Sequence, residues 1–315
     1  MANAFVGTAE VLQLGDGNIT DIDVSELLED APFLAAMAAI EASNENSHEW
    51  LKKTAAPAGG FRDINDGLEV TKATYTKVTE ALKLFDASFD LDMGLLKLKS
   101  GDALRRREAK DHLKACFADM EKQIVYGTGQ NSGGFAGLAD ETTLDDSDDP
   151  MVVNAGGTTA DTASSVFAVR TNEEAVAIAY GANGRIEIGA EYKTLRSGSS
   201  TGNYDAVRTP IMFWGCLQIA TSLDAGRICN LTEDSGKGLT DDLLSDLYSL
   251  FPANRKPNVF AMSRRSLKQL QQSRTATNPT GQPAPFPTSW SGGGNPIPIV
   301  ATDQIVDTEA LLTAA

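Results

Sequence analysis

The chain has 315 residues, of which 42% are hydrophobic and 22% charged, enough to build a sizeable core and too apolar for a disordered tail. With 27 basic against 43 acidic residues the formal net charge is −16. Such a surface repels phosphate and excludes DNA binding built on Lys and Arg contacts, though not the enclosing of DNA, because a container needs to touch its contents only weakly. Met1 to Gly7 carries no Lys or Arg, and the longest mostly apolar run, Ala31 to Ile40, is too short for a bilayer. A soluble protein made in a cytoplasm, with no membrane partner, is expected. Cys116, Cys216 and Cys229 are odd in number and widely spaced, so buried free thiols are expected rather than a disulfide framework. With only His48 and His112, far apart, no zinc spacing exists, and no metal or cofactor is expected.

In chain order, residues 1–46 have a weak pattern. Asp16-Gly17-Asn18 reads as a turn, Ser25 as the cap of a short helix through Leu28, and Pro32 as the opening of a second helix over Phe33 to Ile40. Residues 47–92 look extended. Val70, Thr71, Thr74, Thr76, Val78 and Thr79 form a β-branched run, and Phe85, Ala87, Phe89 and Leu91 alternate with Asp86, Ser88, Asp90 and Asp92. Turn signals at Gly59-Gly60 and Asp66-Gly67 make this a hairpin-like arm with few large apolar residues in its outer half. A long helix is predicted from a cap at Ser100 or Asp102 to Tyr126, stopped by Gly127, with Leu104, Leu113, Phe117, Met120 and Ile124 on one stripe.

After the glycine-rich loop Gly127–Gly137 come an acidic stretch, Asp140 to Asp149, and a Gly/Thr-rich stretch to Thr162. Strands are predicted over Ser165–Arg170, Ala175–Tyr180, Arg185–Lys193 and Tyr204–Ala220, with turns at Asn183-Gly184 and Gly202-Asn203. A helix from Thr240 would bury Leu243, Leu244, Leu247, Leu250 and Phe251. A strand over Asn258–Met262 and a helix capped by Ser263 follow. Six of the twelve prolines lie between Pro279 and Pro298, so residues 278–295 are expected to hold no sheet or helix interior. An apolar strand, Ile297 to Thr302, and Ile305 close the chain.

No reactive constellation emerges. Gly127-Thr128-Gly129 to Gly134 follows a helix and lacks a Lys–Ser/Thr pair, and Gly236-Lys237-Gly238 lacks the upstream glycine, so both read as turns rather than phosphate cradles. Asp145-Asp146-Ser147-Asp148-Asp149 lacks the glycine and terminal glutamate of a calcium loop and reads as a solvated acidic loop. Arg105-Arg106-Arg107 fan over more than half a helix circumference, which suits contact with a neighbouring chain better than one DNA-binding patch. His48 and His112 read as ordinary surface or packed residues. No catalytic, cofactor-binding or metal residue is assigned.

The order of the pieces carries a resemblance: an N-terminal arm, a long hairpin, a long helix, a glycine-rich turn, and an α/β insertion returning through a late strand. Gly60-Phe61-Arg62-Asp63-Ile64-Asn65-Asp66-Gly67, Ser165-Val166-Phe167-Ala168-Val169-Arg170, Tyr204-Asp205-Ala206-Val207-Arg208-Thr209 leading into Gly226-Arg227-Ile228-Cys229-Asn230-Leu231, and Asn278-Pro279-Thr280-Gly281 to Pro298-Ile299 add local likeness. Over nearly its whole length the chain resembles the tailed-bacteriophage major capsid proteins of the Hong Kong 97 fold. The resemblance implies an α+β fold with an N-terminal arm (1–46), an extended E-loop lying over the adjacent subunit (47–92), a peripheral domain with the long helix as spine (93–155), an inserted axial domain (156–284) and a return to the peripheral domain (285–315).

It also implies a structural, non-enzymatic virion protein. Hexamers and pentamers of it would assemble in the host bacterial cytoplasm into an icosahedral or prolate head around double-stranded DNA. The implied partners are copies of itself, a separate scaffolding protein, a portal, a decoration protein, and DNA touched weakly without sequence specificity. Some members cross-link through a loop lysine, for which Lys52, Lys53, Lys72 and Lys77 are the candidates. Two alternatives remain at this stage: an encapsulin-type nanocompartment shell of the same fold, and, more remotely, a soluble acidic hydrolase using paired carboxylates.

Overall fold

The computed structural model describes residues 28–98, 101–181, 187–188, 191–197, 202–278, 282–292 and 294–314. The turn expected at Asp16-Gly17-Asn18, the Ser25 cap and the turn at Asn183-Gly184 lie outside them.

The chain enters through a single helical turn, α1 (Pro32–Ala36), and then strand β1 (Ala38–Glu41). The helix expected through Ile40 stops after Ala36. Met37 is extended, the Ala38 amide donates to Thr171 Oγ1 at 2.7 Å, and Ala38–Glu41 pair in parallel with a later strand. A local apolar run specifies burial, and an available sheet edge decides the backbone. Strands β2 (Ser47–Ala55) and β3 (Thr74–Ala81) then pair as an antiparallel hairpin. β4 (Lys83–Asp86) and β5 (Phe89–Asp92) keep the expected alternation but split at Ala87-Ser88, where the Asp86 carboxylate accepts the Ser88 amide at 2.9 Å.

A short helix, α2 (Met93–Leu96), precedes the long one, α3 (Gly101–Tyr126). Leu113, Phe117, Met120 and Ile124 are buried as the spacing predicts, and Leu104 only partly. Gly127 ends α3 at φ +52°, and a Cβ there would collide with the Asp140 carboxylate. Beyond the loop come β6 (Val152–Asn154), β7 (Ser164–Val169), β8 (Val176–Tyr180), β9 (Glu187–Ile188), β10 (Tyr192–Ser197), β11 (Asn203–Thr209), β12 (Ile211–Ile219) and β13 (Ala225–Leu231). Of the strand expected over Arg185–Lys193, the described residues form β9 and the start of β10, which join different sheets, and Tyr204–Ala220 divides at Pro210. Helix α4 (Asp241–Leu250) starts at Thr240, whose hydroxyl accepts the Leu243 amide at 3.3 Å. β14 (Val259–Met262) leads to α5 (Arg264–Ala276), capped by Ser263. The proline-rich segment does hold a strand. β15 (Ser289–Trp290) pairs with β16 (Ile297–Ala301), because Trp290 finds a buried seat against Tyr248 and Phe260. Pro298, with no N–H to give, sits where the two-residue edge strand runs beside it.

These strands make four sheets. The order β15-β16-β14-β7-β13-β6 forms the largest; β1-β8-β12-β4, with β9 beside β12, forms the second; β10-β11-β5 and β2-β3 form the others. Strands from residues 93–155, 156–284 and 285–315 share the six-stranded sheet, and strands from 1–46, 47–92 and 156–284 share the second. One apolar cluster links both larger sheets to α1, α3 and α4 through Phe33, Leu34, Phe117, Met120, Phe167 and Leu244.

Candidate functional site: the bare hairpin

The pairing register of β2 and β3 puts His48, Trp50, Lys52, Thr76, Val78 and Glu80 on one face and Glu49, Leu51, Lys77 and Thr79 on the other. The first face meets the body through three polar contacts at every second residue. His48 is buried; the Ser43 amide donates to its Nδ1 at 3.2 Å, so Nε2 carries the proton and donates to Gln218 Oε1 at 2.6 Å. Trp50 stacks on His48 with centroids 5.4 Å apart, and its indole N–H donates to the Ile219 carbonyl at 3.1 Å. Lys52 Nζ reaches Glu141 Oε1 at 2.5 Å. On the solvent face Lys77 pairs with Glu49 at 2.6 Å and holds the Glu49 carboxyl below its ordinary value, but this bond joins strand to strand rather than hairpin to body.

Beyond Lys52 the hairpin is bare. Every residue from 53 to 72 is exposed, including Phe61 at 107%, Ile64 at 92% and Val70 at 93%. The turn forms at Ile64-Asn65, with Asn65 at φ +70°, rather than at either glycine pair. Hydrogen bonds hold the loop to itself: the Ala58 amide to Thr71 Oγ1 at 2.8 Å, Thr71 Oγ1 to the Ala58 carbonyl at 2.7 Å, and Arg62 Nη1 to the Asp66 carbonyl at 2.9 Å. An extended chain rises about 3.3 Å per residue, so the tip at Ile64 lies at most about 40 Å from the last contact with the body at Lys52. Large apolar side chains held this way are each worth roughly 1.5–3 kcal/mol to whatever covers them. The arrangement performs no chemistry, and its physical property is unspent apolar surface on a long lever.

The other sequence-predicted candidates become structural. In the glycine-rich loop the amides of Thr128 (2.7 Å) and Gly137 (3.0 Å) donate to Asp140, as does the Thr128 hydroxyl at 2.7 Å. A carboxylate of the chain itself fills the place a phosphate would need. In the acidic stretch the Asp148 amide donates to Asp146 and the Asp146 amide to Asp149, and among the described residues no group of three His, Cys, Asp or Glu is placed to hold a metal ion. Arg105 points inward to Glu191 and Thr209, while Arg106 and Arg107 are exposed, so the triplet fans out as its spacing requires. His112 stacks on Phe89 at 5.0 Å. The three cysteines are free and buried, and burial pushes the thiols of Cys116 and Cys216 up to about 12 and that of Cys229 up to about 11. Of the loop lysines, Lys52 and Lys77 are engaged within the chain, and Lys53 and Lys72 are exposed. No described helix is long and apolar enough to cross a membrane.

Three buried polar junctions escaped the sequence reading. Arg227, in the fully buried β13, donates to Glu309 Oε2 at 3.1 Å, Ser165 Oγ at 2.9 Å and the Leu144 carbonyl at 3.2 Å. Tyr126 OH donates to Glu309 Oε1 at 2.6 Å, and burial and the Glu309 charge push its hydroxyl up. Glu121, inside α3, accepts the amides of Phe33 (2.8 Å) and Leu34 (2.9 Å) and the Thr302 hydroxyl, and burial raises its carboxyl. Asp224 gathers Arg170 and Arg255. At the surface, hydrogen bonds from Thr159, Thr158 and Thr232 hold Asp234 down to about 2.

A family model described as major capsid protein GP7 matches residues 15–313. No curated protein sequence matches this one. Among solved structures, a chain of bacteriophage Epsilon15 is 17% identical, with 88% of each chain covered and a TM-score of 0.61. A chain of the bacteriophage JBD30 capsid is 11% identical, over 84% of this chain and 88% of that one, with a TM-score of 0.46. A chain of the SrpI encapsulin complex from Synechococcus elongatus is 8% identical, over 64% and 88%, with a TM-score of 0.41. The first of these shows the fold.

Proposed function

Because the chain belongs to the major capsid protein GP7 family, we propose that it builds a phage head from hexamers and pentamers, with the hairpin of each copy lying over its neighbour. That it is a structural subunit of a virion capsid that assembles with copies of itself follows from the family, which is not a family of enzymes. The finer reading rests on one observation: twenty consecutive residues, 53 to 72, stand exposed while carrying Phe61, Ile64, Leu68 and Val70. A monomer has no use for such a lever, and a closed shell of like subunits supplies a cover for every copy. Residues 1–46 are assigned as the arm, 47–92 as the loop, 93–155 with 285–315 as the peripheral domain and 156–284 as the axial domain.

The content of the shell is double-stranded DNA, touched weakly because the subunit carries a net charge of −16. A separate scaffolding protein, a portal and a decoration protein complete the head, and assembly takes place in the bacterial cytoplasm. Electron microscopy of the expressed full-length chain tests the reading. Hollow shells or rings of five and six subunits are expected, and a uniform population of monomers under assembly conditions contradicts it. Packaged DNA in particles from infected cells separates a phage head from an enzyme-filled compartment. Limited proteolysis gives a second readout, since cleavage at Phe61 or Arg62 is expected in free subunits and suppressed in shells.

A further inference from the structure

The contacts that hold the hairpin are unequal in strength and in order. His48 is fully enclosed and bonded through both ring nitrogens, and Trp50 is stacked on it. Lys52, the outermost contact, relies on one ion pair, its side chain 23% exposed and that of Glu141 12%. Beneath it lies an open cleft of about 220 Å³ between the hairpin and the body, lined by Trp50, Val78, Phe135, Cys216 and Leu217 and by the carboxylates of Glu80 and Asp140. The inner face is therefore pinned at its base and spaced off the body further out. Just past Lys52 the register slips between Lys53 and Ala55, a bulge that bends the ribbon where its support ends.

We infer that Lys52–Glu141 is a releasable latch that sets the elevation of the hairpin, which pivots about the His48–Trp50 base into and out of this cleft. The geometry amplifies the motion. Four residues separate His48 from Lys52 and sixteen separate it from the tip at Ile64, so at about 3.3 Å per residue a shift of about 2 Å at the latch becomes one of roughly 8 Å at the tip. The charges facing Lys52 are Glu141, Glu80 and Asp140. The last is already engaged by the Thr128 and Gly137 amides and the Thr128 hydroxyl, which leaves the Glu141 carboxylate as the one that fastens the hairpin to the body. This inference rests on the shell reading for its purpose: a loop that must reach neighbours set at different angles in rings of five and six needs an adjustable base. Its mechanics do not depend on that reading.

The test is a distance measurement on the full-length chain, labelled at Glu69→Cys on the loop and Lys268→Cys on α5 and diluted into unlabelled protein. The native cysteines are buried, and their thiols do not compete for label. A narrow distribution is expected for the parent chain. Lys52→Met and Glu141→Gln are each expected to broaden it at least twofold, and the double variant no further, since both remove the same bond. Salt near 1 M is expected to broaden the parent but not the variants. Lys77→Met, which breaks the solvent-face pair, is the control and leaves the width unchanged. An unchanged width in Lys52→Met and Glu141→Gln, with far-UV circular dichroism intact, overturns the latch, as does equal broadening by Lys77→Met. Failure of the shell reading appears separately, as an absence of particles in micrographs while the distances still respond.

Discussion

Two segments of this molecule meet the packed body in opposite ways. The hairpin, residues 47–81, is paired β-structure only over its inner part, β2 and β3, and its outer loop has few anchors. The C-terminal tail, residues 303–314, has almost no regular structure and is strapped down along its length. The Val306 amide donates to Tyr126 OH, Ser164 Oγ to the Val306 carbonyl, Glu309 pairs backbone to backbone with Ala163, and Leu312 exchanges two bonds with the Asn230 side chain. A segment without regular secondary structure can therefore be firmly held. The tail meets buried partners on α3, β7 and β13, whereas the outer hairpin bonds to itself at a few points and leaves its large apolar side chains uncovered. The tail belongs to the fold of one chain, and the proposed function gives the hairpin to the assembly.

The largest expected effect comes from cutting the tail's central junction. Arg227→Met leaves the Glu309 carboxylate buried without its cation, a change that costs about 3–5 kcal/mol. Denaturant unfolding should show the midpoint falling accordingly. Adding Glu309→Gln should recover a large part of the loss, because the charge is then gone along with its partner. If the single variant unfolds within about 1 kcal/mol of the parent, the tail is no more essential to the body than the hairpin, and the contrast fails.

Next comes Glu121, which joins the arm, the long helix and the end of β16. Glu121→Ala strands the Phe33 and Leu34 amides and the Thr302 hydroxyl in a dry site, and roughly 3 kcal/mol is expected from such losses. Glu121→Gln keeps an acceptor and should cost less. The pH dependence has a definite sign. Burial raises this carboxyl in the folded state, so its contribution is fully present below the unfolded value of about 4.3 and is lost as pH rises through the folded one. The glutamine variant should lose that component of the pH–stability profile. A profile identical in parent and variant would show that Glu121 does not titrate differently on folding.

These junctions mark the boundary of what the sequence makes legible. Elements with a local signature were readable: α3 from its stripe and terminal Gly127, α4 and α5 from Thr240 and Ser263, the hairpin from its β-branched run, and β7 and β8 from continuous apolar character. β13 was not, because Arg227 and Asn230 interrupt the apolar pattern of a strand that is buried throughout. Its polar residues are satisfied by partners about eighty positions away, Glu309 and Leu312, and no local rule anticipates that. β1 departs from the expected helix for a related reason: its four residues become a strand only because β8 offers an edge. The bare hairpin was legible through what it lacked, namely enough large side chains to make a core.

The smallest effect on stability is expected at the hairpin tip, and the comparison turns on it. Phe61→Ser and Ile64→Ser remove side chains that touch nothing of their own body, so subunit stability should stay within about 0.5 kcal/mol of the parent. Unfolding midpoints that drop by more than that would mean the tip is packed against its own chain in solution. Assembly should respond in the opposite way. Covering each of these side chains is worth roughly 1.5–3 kcal/mol, and every copy in a shell makes the contact, so the double variant should raise the concentration needed for particle formation at least tenfold, read by light scattering. A subunit that is unimpaired alone and deficient only in company is what separates a segment serving the assembly from one serving the fold, and no variant in the tail can show that combination.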